Sequence, residues 1–310
     1  MRAGNGGQGV GGTGALVRVP ADVVRRLTPT PLPYGHRTAD TSKAGTTRTD
    51  RHQKETPTTM PTVRGTDIDL RTQDGTADAY LVRPDDDAPH PPVLLYMDAF
   101  GIRPALKSLA DRLASAGYTV LVPNVFYRNG RTPLLDLPEF IDVSARPDIF
   151  ESLHEPFQEL TVERAMQDAD AYLGFLADHP HATTGPAGVT GYCLGGVLAV
   201  RTAGAHPERV AAAACFHGSH LASEAPDSPH LLADRITAEL YFGHADQDPG
   251  LPPEQVARLE EALTSAGVRH KSEVYEGAQH GFTQSDTAAY DATAEERHWE
   301  ALLNLLRRNL

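Results

Sequence analysis

Residues 187–205, with the sequence AGVTGYCLGGVLAVRTAGA, constrain the fold more than any other part of this 310-residue chain. Residues 187–191 are short and apolar, as expected of a buried strand, and residues 194–203 have the small, apolar composition of a buried helix. A strand that reverses into a helix this abruptly strains the residue at the turn, and flanking glycines relieve the crowding. The residue at the turn is Cys193, so the sequence predicts a thiol held at a helix N-terminus.

A thiol in this position has the properties of a nucleophile. The helix dipole and the free N–H groups of the first helical turn favour an anion, so they stabilise the thiolate. The alternative is a structural cysteine beside a tight turn, since free cysteines are often inert core residues. The second cysteine, Cys215, lies within an apolar run and fits that alternative. Cys193 is therefore the candidate nucleophile.

Strands and helices alternate along the rest of the chain. Segments 66–70 and 77–82 flank an Asp-Gly pair and predict an antiparallel hairpin. The alternation that follows is typical of a mostly parallel sheet with helices on both faces, and so of the α/β class. Apolar runs predict further strands at 92–97, 118–122, 210–216, 238–242 and 271–275, and helical spacing predicts helices at 103–116, 162–177, 253–266 and 293–310.

Residues 1–59 differ from the rest in composition. They are rich in Gly, Thr and Pro and hold nine basic but four acidic residues, although the whole chain has a net charge of −13. This composition predicts a disordered N-terminal extension, with a basic arm or a transit peptide as alternatives, ahead of a single domain at 60–310. Residues 124–160 interrupt the alternation and predict a lid or a loop insertion.

Composition also limits the partners and the compartment. The acidic balance argues against a nucleic-acid partner, and no apolar run approaches the length of a membrane span. Two cysteines are too few for a disulfide framework, which predicts a cytoplasmic protein. A monomer and a homodimer both remain open.

Two later loops supply an acid and a base for Cys193. Asp248 follows the strand at 238–242, and His280 follows the strand at 271–275. Ligands of such sheets bind at the carboxyl ends of the strands, where we expect all three side chains to meet. The chain order nucleophile, acid, histidine is that of the α/β-hydrolase fold. His280 would take the thiol proton, and Asp248, or alternatively Asp246, would hold the imidazole tautomer.

Backbone N–H groups complete this predicted site. The N–H of Leu194, directly after the nucleophile, is placed to stabilise an oxyanion. A second N–H is expected from the loop after strand 92–97, near Ala99.

Several motifs resemble the dienelactone hydrolase family over about residues 64–310. The resemblance implies hydrolysis of cyclic enol-lactones and small esters through an acyl-thiol intermediate, without metal or cofactor. It implies Cys193 as the nucleophile, His280 as the base and Asp248 as the acid, since Pro252 follows Asp248 at the family's spacing. The motifs are GYCLGG at 191–196, DPGLP at 248–252, GAQHGF at 277–282, DAFG at 98–101 and VPNVFYR at 122–128.

The chain departs from the family pattern at two substrate-facing positions. Asp98 stands where the family has a glutamate that acts on the resting thiol. Arg128 fits the first of two arginines that grip the substrate carboxylate, but Gln284 occupies the position of the second. The resemblance therefore implies substrate contacts from Asp98 and Arg128, and a larger, less charged ester or lactone. The alternatives are that Asp98 only caps the end of a strand and that Arg128 forms a surface ion pair.

Other functions compete with this prediction. H-x-x-H at 217–220 and the histidine pair at 179 and 181 could bind a metal, but no further ligand stands at supporting spacing. His206-Pro207-Glu208 mimics a glutamine amidotransferase motif, but it lies too close to Cys193 in sequence to be a separate strand end. A thiol redox sensor and a non-catalytic binding module on a hydrolase scaffold remain the alternatives.

Overall fold

A central sheet of eight strands organises the protein. The computed structural model describes residues 61–310, so the extension predicted at 1–59 lies outside the described residues. The strands are β1 (Val63–Arg71), β2 (Thr76–Pro84), β3 (Pro92–Tyr96), β4 (Thr119–Pro123), β5 (Ala187–Tyr192), β6 (Val210–Phe216), β7 (Glu239–Gln247) and β8 (His270–Gln279). The helices are α1 (Pro104–Ser115), α2 (Asp148–Ser152), α3 (His154–Glu159), α4 (Val162–Asp178), α5 (Leu194–Ala205), α6 (Pro253–Ser265) and α7 (Ala292–Asn309), with 3₁₀ turns at Pro207–Arg209 and Pro229–Arg235.

The strand order confirms the predicted fold class. The order across the sheet is β1-β2-β4-β3-β5-β6-β7-β8. The opening hairpin pairs β1 with β2 antiparallel, and β2 pairs antiparallel with β4. The remaining neighbours are parallel, so their carboxyl ends meet along one edge of the sheet. The protein has an α/β-hydrolase fold.

Burial on both faces explains why the central strands are continuous apolar runs. Every residue of β3, β4 and β5 is buried, which requires helices on each face of the sheet. The helices present apolar stripes to it, and in α7 the stripe includes Trp299, Leu302 and Leu306. A single hydrophobic core runs from β1 to α7. Within residues 61–310 no helix has the length and apolarity needed to cross a membrane.

Two strands are longer than their apolar runs indicate. β7 and β8 were predicted to end at 242 and 275, but pairing continues to Gln247 opposite Gln279. The extra residues are held by backbone hydrogen bonds, and several are polar and exposed. Apolar runs do not detect such residues. As a result, Asp246 belongs to β7, whereas Asp248 and His280 come directly after the ends of β7 and β8.

The segment 124–160 contains the two short helices α2 and α3 and pairs with the chain beyond β8. The N–H of Ile141 donates to the Asp286 carbonyl at 2.8 Å, and the N–H of Ala288 donates to the Ile141 carbonyl at 3.0 Å. The segment therefore lies beside the loop that carries His280. Its closure as a lid stays a prediction.

Candidate functional site

The turn between β5 and α5 holds Cys193 in a strained conformation. Its φ is 54° and its ψ is −117°, a region that residues with a side chain rarely adopt. Two neighbours must be glycine because the backbone approaches so closely. A Cβ at Gly191 would lie 2.2 Å from the Gly195 carbonyl oxygen, and one at Gly195 would lie 2.5 Å from the Met97 carbonyl oxygen. The predicted turn is confirmed.

Cys193 precedes α5 and is half-buried. Its N–H lies 3.0 Å from the Phe216 carbonyl oxygen and 3.1 Å from Nδ1 of His217. Both acceptors belong to the end of the neighbouring strand β6 and the residue that follows it. The turn is thus held by the adjacent strand end, and the thiol stands at the carboxyl edge of the sheet.

Asp248 and His280 form a hydrogen-bonded pair at the same edge. Nδ1 of His280 lies 2.7 Å from Oδ2 of Asp248. The other carboxylate oxygen accepts from the Gly250 N–H at 2.8 Å, and the Ser219 hydroxyl lies 3.3 Å from both oxygens. The Asp248 side chain is 1% exposed. Burial alone would raise the pKa of Asp248, but His280 and these hydrogen bonds lower it below its usual value.

His280 interacts with both Asp248 and Cys193. Burial disfavours the imidazolium, but the Asp248 carboxylate and the Cys193 sulfur outweigh it and raise the pKa of His280 well above its ordinary value. The structure therefore pairs His280 with Asp248 and places Cys193 near the same imidazole. Their roles as nucleophile, base and acid stay predictions.

The competing acid, Asp246, has a different environment. It is exposed, and its Oδ2 accepts from the Gly277 N–H at 3.0 Å. That bond joins the ends of β7 and β8. The structure pairs His280 with Asp248 rather than with Asp246.

Two backbone N–H groups near Cys193 are unpaired. Within residues 61–310, the N–H of Leu194, the first residue of α5, and that of Ala99, just after β3, donate to no protein acceptor. The two segments touch, since Gly195 packs against the Met97 carbonyl. Both N–H groups are available to an oxygen atom bound beside the thiol.

Asp98, for which the resemblance implies a substrate contact, is engaged in a buried ion pair, and the substrate contact itself stays a prediction. It is 2% exposed and forms a two-pronged ion pair with Arg103, with Nη1–Oδ1 at 2.8 Å and Nη2–Oδ2 at 3.0 Å. Arg103 also binds Asp286 at 2.6 Å and Gln284 at 3.1 Å. The sequence prediction missed Arg103 because it read this residue as the first of helix α1. The available signal was that Arg103 follows the acidic Asp98 by only five residues, in the loop after β3.

Arg128 is also engaged with carboxylates of the protein. Its guanidinium donates to Asp168 at 2.7 Å and to Asp74 at 2.8 Å, and it stacks over the Tyr127 ring at 4.5 Å. All three of its nitrogens have carboxylate partners. These contacts argue against the predicted grip on a substrate carboxylate, because a substrate would first have to displace them.

His217 was considered as a metal ligand, but its two ring nitrogens are both occupied. Nδ1 accepts from the Cys193 N–H, and Nε2 lies 2.8 Å from the Thr283 hydroxyl. In the described part of the chain, no cluster of three or more His, Cys, Asp or Glu has metal-binding geometry. His217 lies instead between the Cys193 turn and the loop after His280.

Cys215 lies in β6 with 1% exposure. Burial raises the pKa of its thiol, which is therefore neutral and unreactive. A Cβ at Gly218 would lie 2.4 Å from its sulfur, so this thiol is tightly enclosed.

Comparisons with known proteins identify relatives of this chain. The model of the dienelactone hydrolase family matches residues 77–310. A carboxymethylenebutenolidase of Rhodococcus opacus is 28% identical over 222 residues, which cover 70% of this chain and 81% of that protein. A Methylorubrum extorquens protein named "Putative carboxymethylenebutenolidase" is 27% identical over 245 residues, which cover 78% and 80% of the two chains. The Klebsiella pneumoniae structure titled "Putative Dienelactone Hydrolase" superposes with a TM-score of 0.69 at 23% identity, covering 80% of this chain and 99% of that one.

Proposed function

The chain belongs to the dienelactone hydrolase family, and we propose that it hydrolyses small carboxylic esters or lactones through an acyl-Cys193 intermediate. Membership makes it a hydrolase of the carboxylic ester and lactone class. The triad is the part that we propose: Cys193 as nucleophile, His280 as base and Asp248 as orienting acid. The observation that supports it most is the 2.7 Å hydrogen bond between Nδ1 of His280 and the buried Asp248 carboxylate, beside the strained turn that carries Cys193.

Acylation begins when His280 holds the proton of the Cys193 thiol. The thiolate attacks the carbonyl carbon, and the carbonyl oxygen becomes an oxyanion that accepts hydrogen bonds from the N–H groups of Leu194 and Ala99. The intermediate collapses with cleavage of the bond to the alcohol oxygen. That oxygen takes the proton from His280, which leaves an acyl thioester on Cys193.

Hydrolysis of the thioester uses the same groups in reverse. His280 removes a proton from water, and the hydroxide adds to the thioester carbonyl. Collapse of this second intermediate expels the Cys193 thiolate and releases the carboxylic acid. Asp248 stabilises the imidazolium in both half-reactions, and general-base assistance of this kind typically contributes about 10²–10⁴ in rate.

The engaged arginines favour neutral substrates. Arg128 and Arg103 already have carboxylate partners, and Gln284 replaces the family's second arginine. Binding an anionic substrate at either guanidinium would break a buried ion pair, which is costly because it leaves a buried carboxylate unpaired. We therefore propose an uncharged ester or lactone as substrate, and we leave Asp98 and Arg128 out of the substrate site.

Removal of the thiol tests the proposed nucleophile. Cys193→Ala is expected to lower kcat for p-nitrophenyl acetate by about 10³-fold or more, since the covalent route is lost. Cys215→Ala is the matched control, because it removes the chain's other thiol from β6 and should keep activity within about threefold. Hydrolysis at the wild-type rate by Cys193→Ala would overturn the proposal.

A further inference from the structure

We propose that His217 is a positioning residue that holds the turn of Cys193 and the loop of His280 in register with one another. This inference rests on the proposed role of Cys193 as nucleophile. His217 follows β6, between the strand that precedes Cys193 and the strand that precedes the acid. It acts on the reaction through the residues that it holds in place.

The hydrogen bonds fix the tautomer of His217. Its Nδ1 lies 3.1 Å from the Cys193 nitrogen, and a backbone N–H can only donate, so Nδ1 carries no proton. The proton is therefore on Nε2, which donates to the Thr283 hydroxyl at 2.8 Å. His217 is fully buried, and burial lowers its pKa well below the ordinary value. It is thus a neutral imidazole with one acceptor and one donor, and both are used.

Thr283, the hydrogen-bond partner of Nε2 of His217, is itself held by a further hydrogen bond. Nε2 of Gln284 donates to the same Thr283 hydroxyl at 3.1 Å. The orientation of the Gln284 amide is settled because its oxygen accepts from Nη2 of Arg103 at 3.1 Å, and arginine has only donors. Arg103 is held by its ion pair with Asp98. A chain of hydrogen bonds therefore joins the end of β3, the loop after β8 and the Cys193 turn.

Packing and backbone strain set His217 apart from an ordinary core histidine. Its ring lies edge-to-face with His280 at 5.1 Å and with Phe282 at 5.2 Å. Its φ is 40°, so two left-handed residues, His217 and Cys193, are joined by one hydrogen bond. Strained residues persist when their surroundings over-determine them. Losing this bond would let the Cys193 turn relax and move the sulfur away from His280.

The inference is tested with substitutions of His217 that retain a hydrogen-bonding group at the position of Nδ1, at that of Nε2, or at neither. His217→Phe keeps the ring packing and removes both hydrogen bonds. His217→Asn places its amide where Nδ1 stands and can still accept from Cys193, whereas His217→Gln reaches the position of Nε2 and keeps only the bond to Thr283. Burst kinetics with p-nitrophenyl acetate give the acylation rate of Cys193 for each variant.

We expect His217→Phe to slow acylation about 10- to 100-fold, because small misplacements of reacting groups have effects of this size. KM should change by less than about threefold, since no substrate contact is lost. His217→Asn should recover most of the rate and His217→Gln less. Thr283→Val should add no further loss in the His217→Asn background, where its bond is already missing.

Two matched variants serve as controls. His244→Phe removes a buried imidazole bonded to Ser272, and Thr287→Val removes a buried hydroxyl bonded to the Gln284 carbonyl. Both should keep the acylation rate.

Wild-type acylation by His217→Phe would overturn the inference, as would a rate for His217→Asn no higher than that of His217→Gln. The comparison of Asn with Gln stands even where the Phe variant does not fold. If Cys193 is not acylated in the wild-type protein, the proposed function fails first, so the two failures are distinguishable.

Discussion

Replacing Asp248 by asparagine is expected to lower kcat about 10²- to 10⁴-fold. The two carboxylate oxygens have different partners: one accepts from Nδ1 of His280 at 2.7 Å, and the other accepts from the Gly250 N–H at 2.8 Å. An amide has one oxygen and one NH₂ group, so it can satisfy only one of these donors.

Each orientation of the amide has a defect. With its oxygen toward His280, the NH₂ group faces the Gly250 N–H, and two donors meet in a buried position. With its oxygen toward Gly250, the NH₂ group donates to Nδ1 of His280 and forces the proton onto Nε2. That tautomer cannot accept the proton of the Cys193 thiol. The second orientation keeps more hydrogen bonds, so we expect it to dominate.

The expected loss corresponds to about 3–5 kcal/mol of transition-state stabilisation. It combines the wrong tautomer with the loss of the negative charge that stabilises the imidazolium. Steady-state kcat and the acylation burst with p-nitrophenyl acetate measure it, with thermal unfolding as the check on folding. Asp246→Asn is the matched control, because Asp246 is exposed and bonds only the Gly277 N–H. A larger loss in Asp246→Asn than in Asp248→Asn would refute the assignment.

Two further predictions concern the substrate and the chain length. Of two esters that differ only by a distant carboxylate or its methyl ester, the neutral one should have the higher kcat/KM by about tenfold or more, since Arg103 and Arg128 are already paired with carboxylates. A clear preference for the carboxylate would contradict the neutral-substrate proposal. A chain that begins at Met60 should fold and keep wild-type kcat, because the described core includes β1 and every proposed catalytic residue follows that strand. Circular dichroism measures folding, and ester hydrolysis measures kcat. An insoluble or inactive product would contradict the single-domain prediction.

The sequence predicted those features that depend on local sterics and burial. The turn at Cys193 was predictable because its neighbours at 191 and 195 can only be glycine, and few other turns have that requirement. The parallel sheet was predictable because strands covered on both faces must be apolar along their whole length. The sequence placed Asp248, with Asp246 as the alternative, and His280 after two neighbouring strands, and the structure pairs His280 with Asp248.

Long-range polar pairing was not predictable. Arg103 binds Asp286 across 183 residues of sequence, and nothing in the local pattern indicates that partner. Arg128 was assigned to the substrate, but Asp168 from helix α4 and Asp74 from the hairpin occupy its donors. The sequence considers His217 only as a possible metal ligand, because its hydrogen bonds to Cys193 and Thr283 come from distant parts of the chain. Partners of buried polar groups are set by tertiary packing, which a one-dimensional pattern does not encode.

The central claim is that an acyl group passes through the sulfur of Cys193. Protein mixed with p-nitrophenyl acetate, quenched in acid within the burst and digested, can be examined by tandem mass spectrometry. The account predicts one acetyl group on the peptide that contains Cys193, which disappears when the quench is delayed past the last turnover and is missing in Cys193→Ala. An acetyl group on Ser219 or another side chain, or turnover that proceeds with Cys193 never labelled, would contradict it.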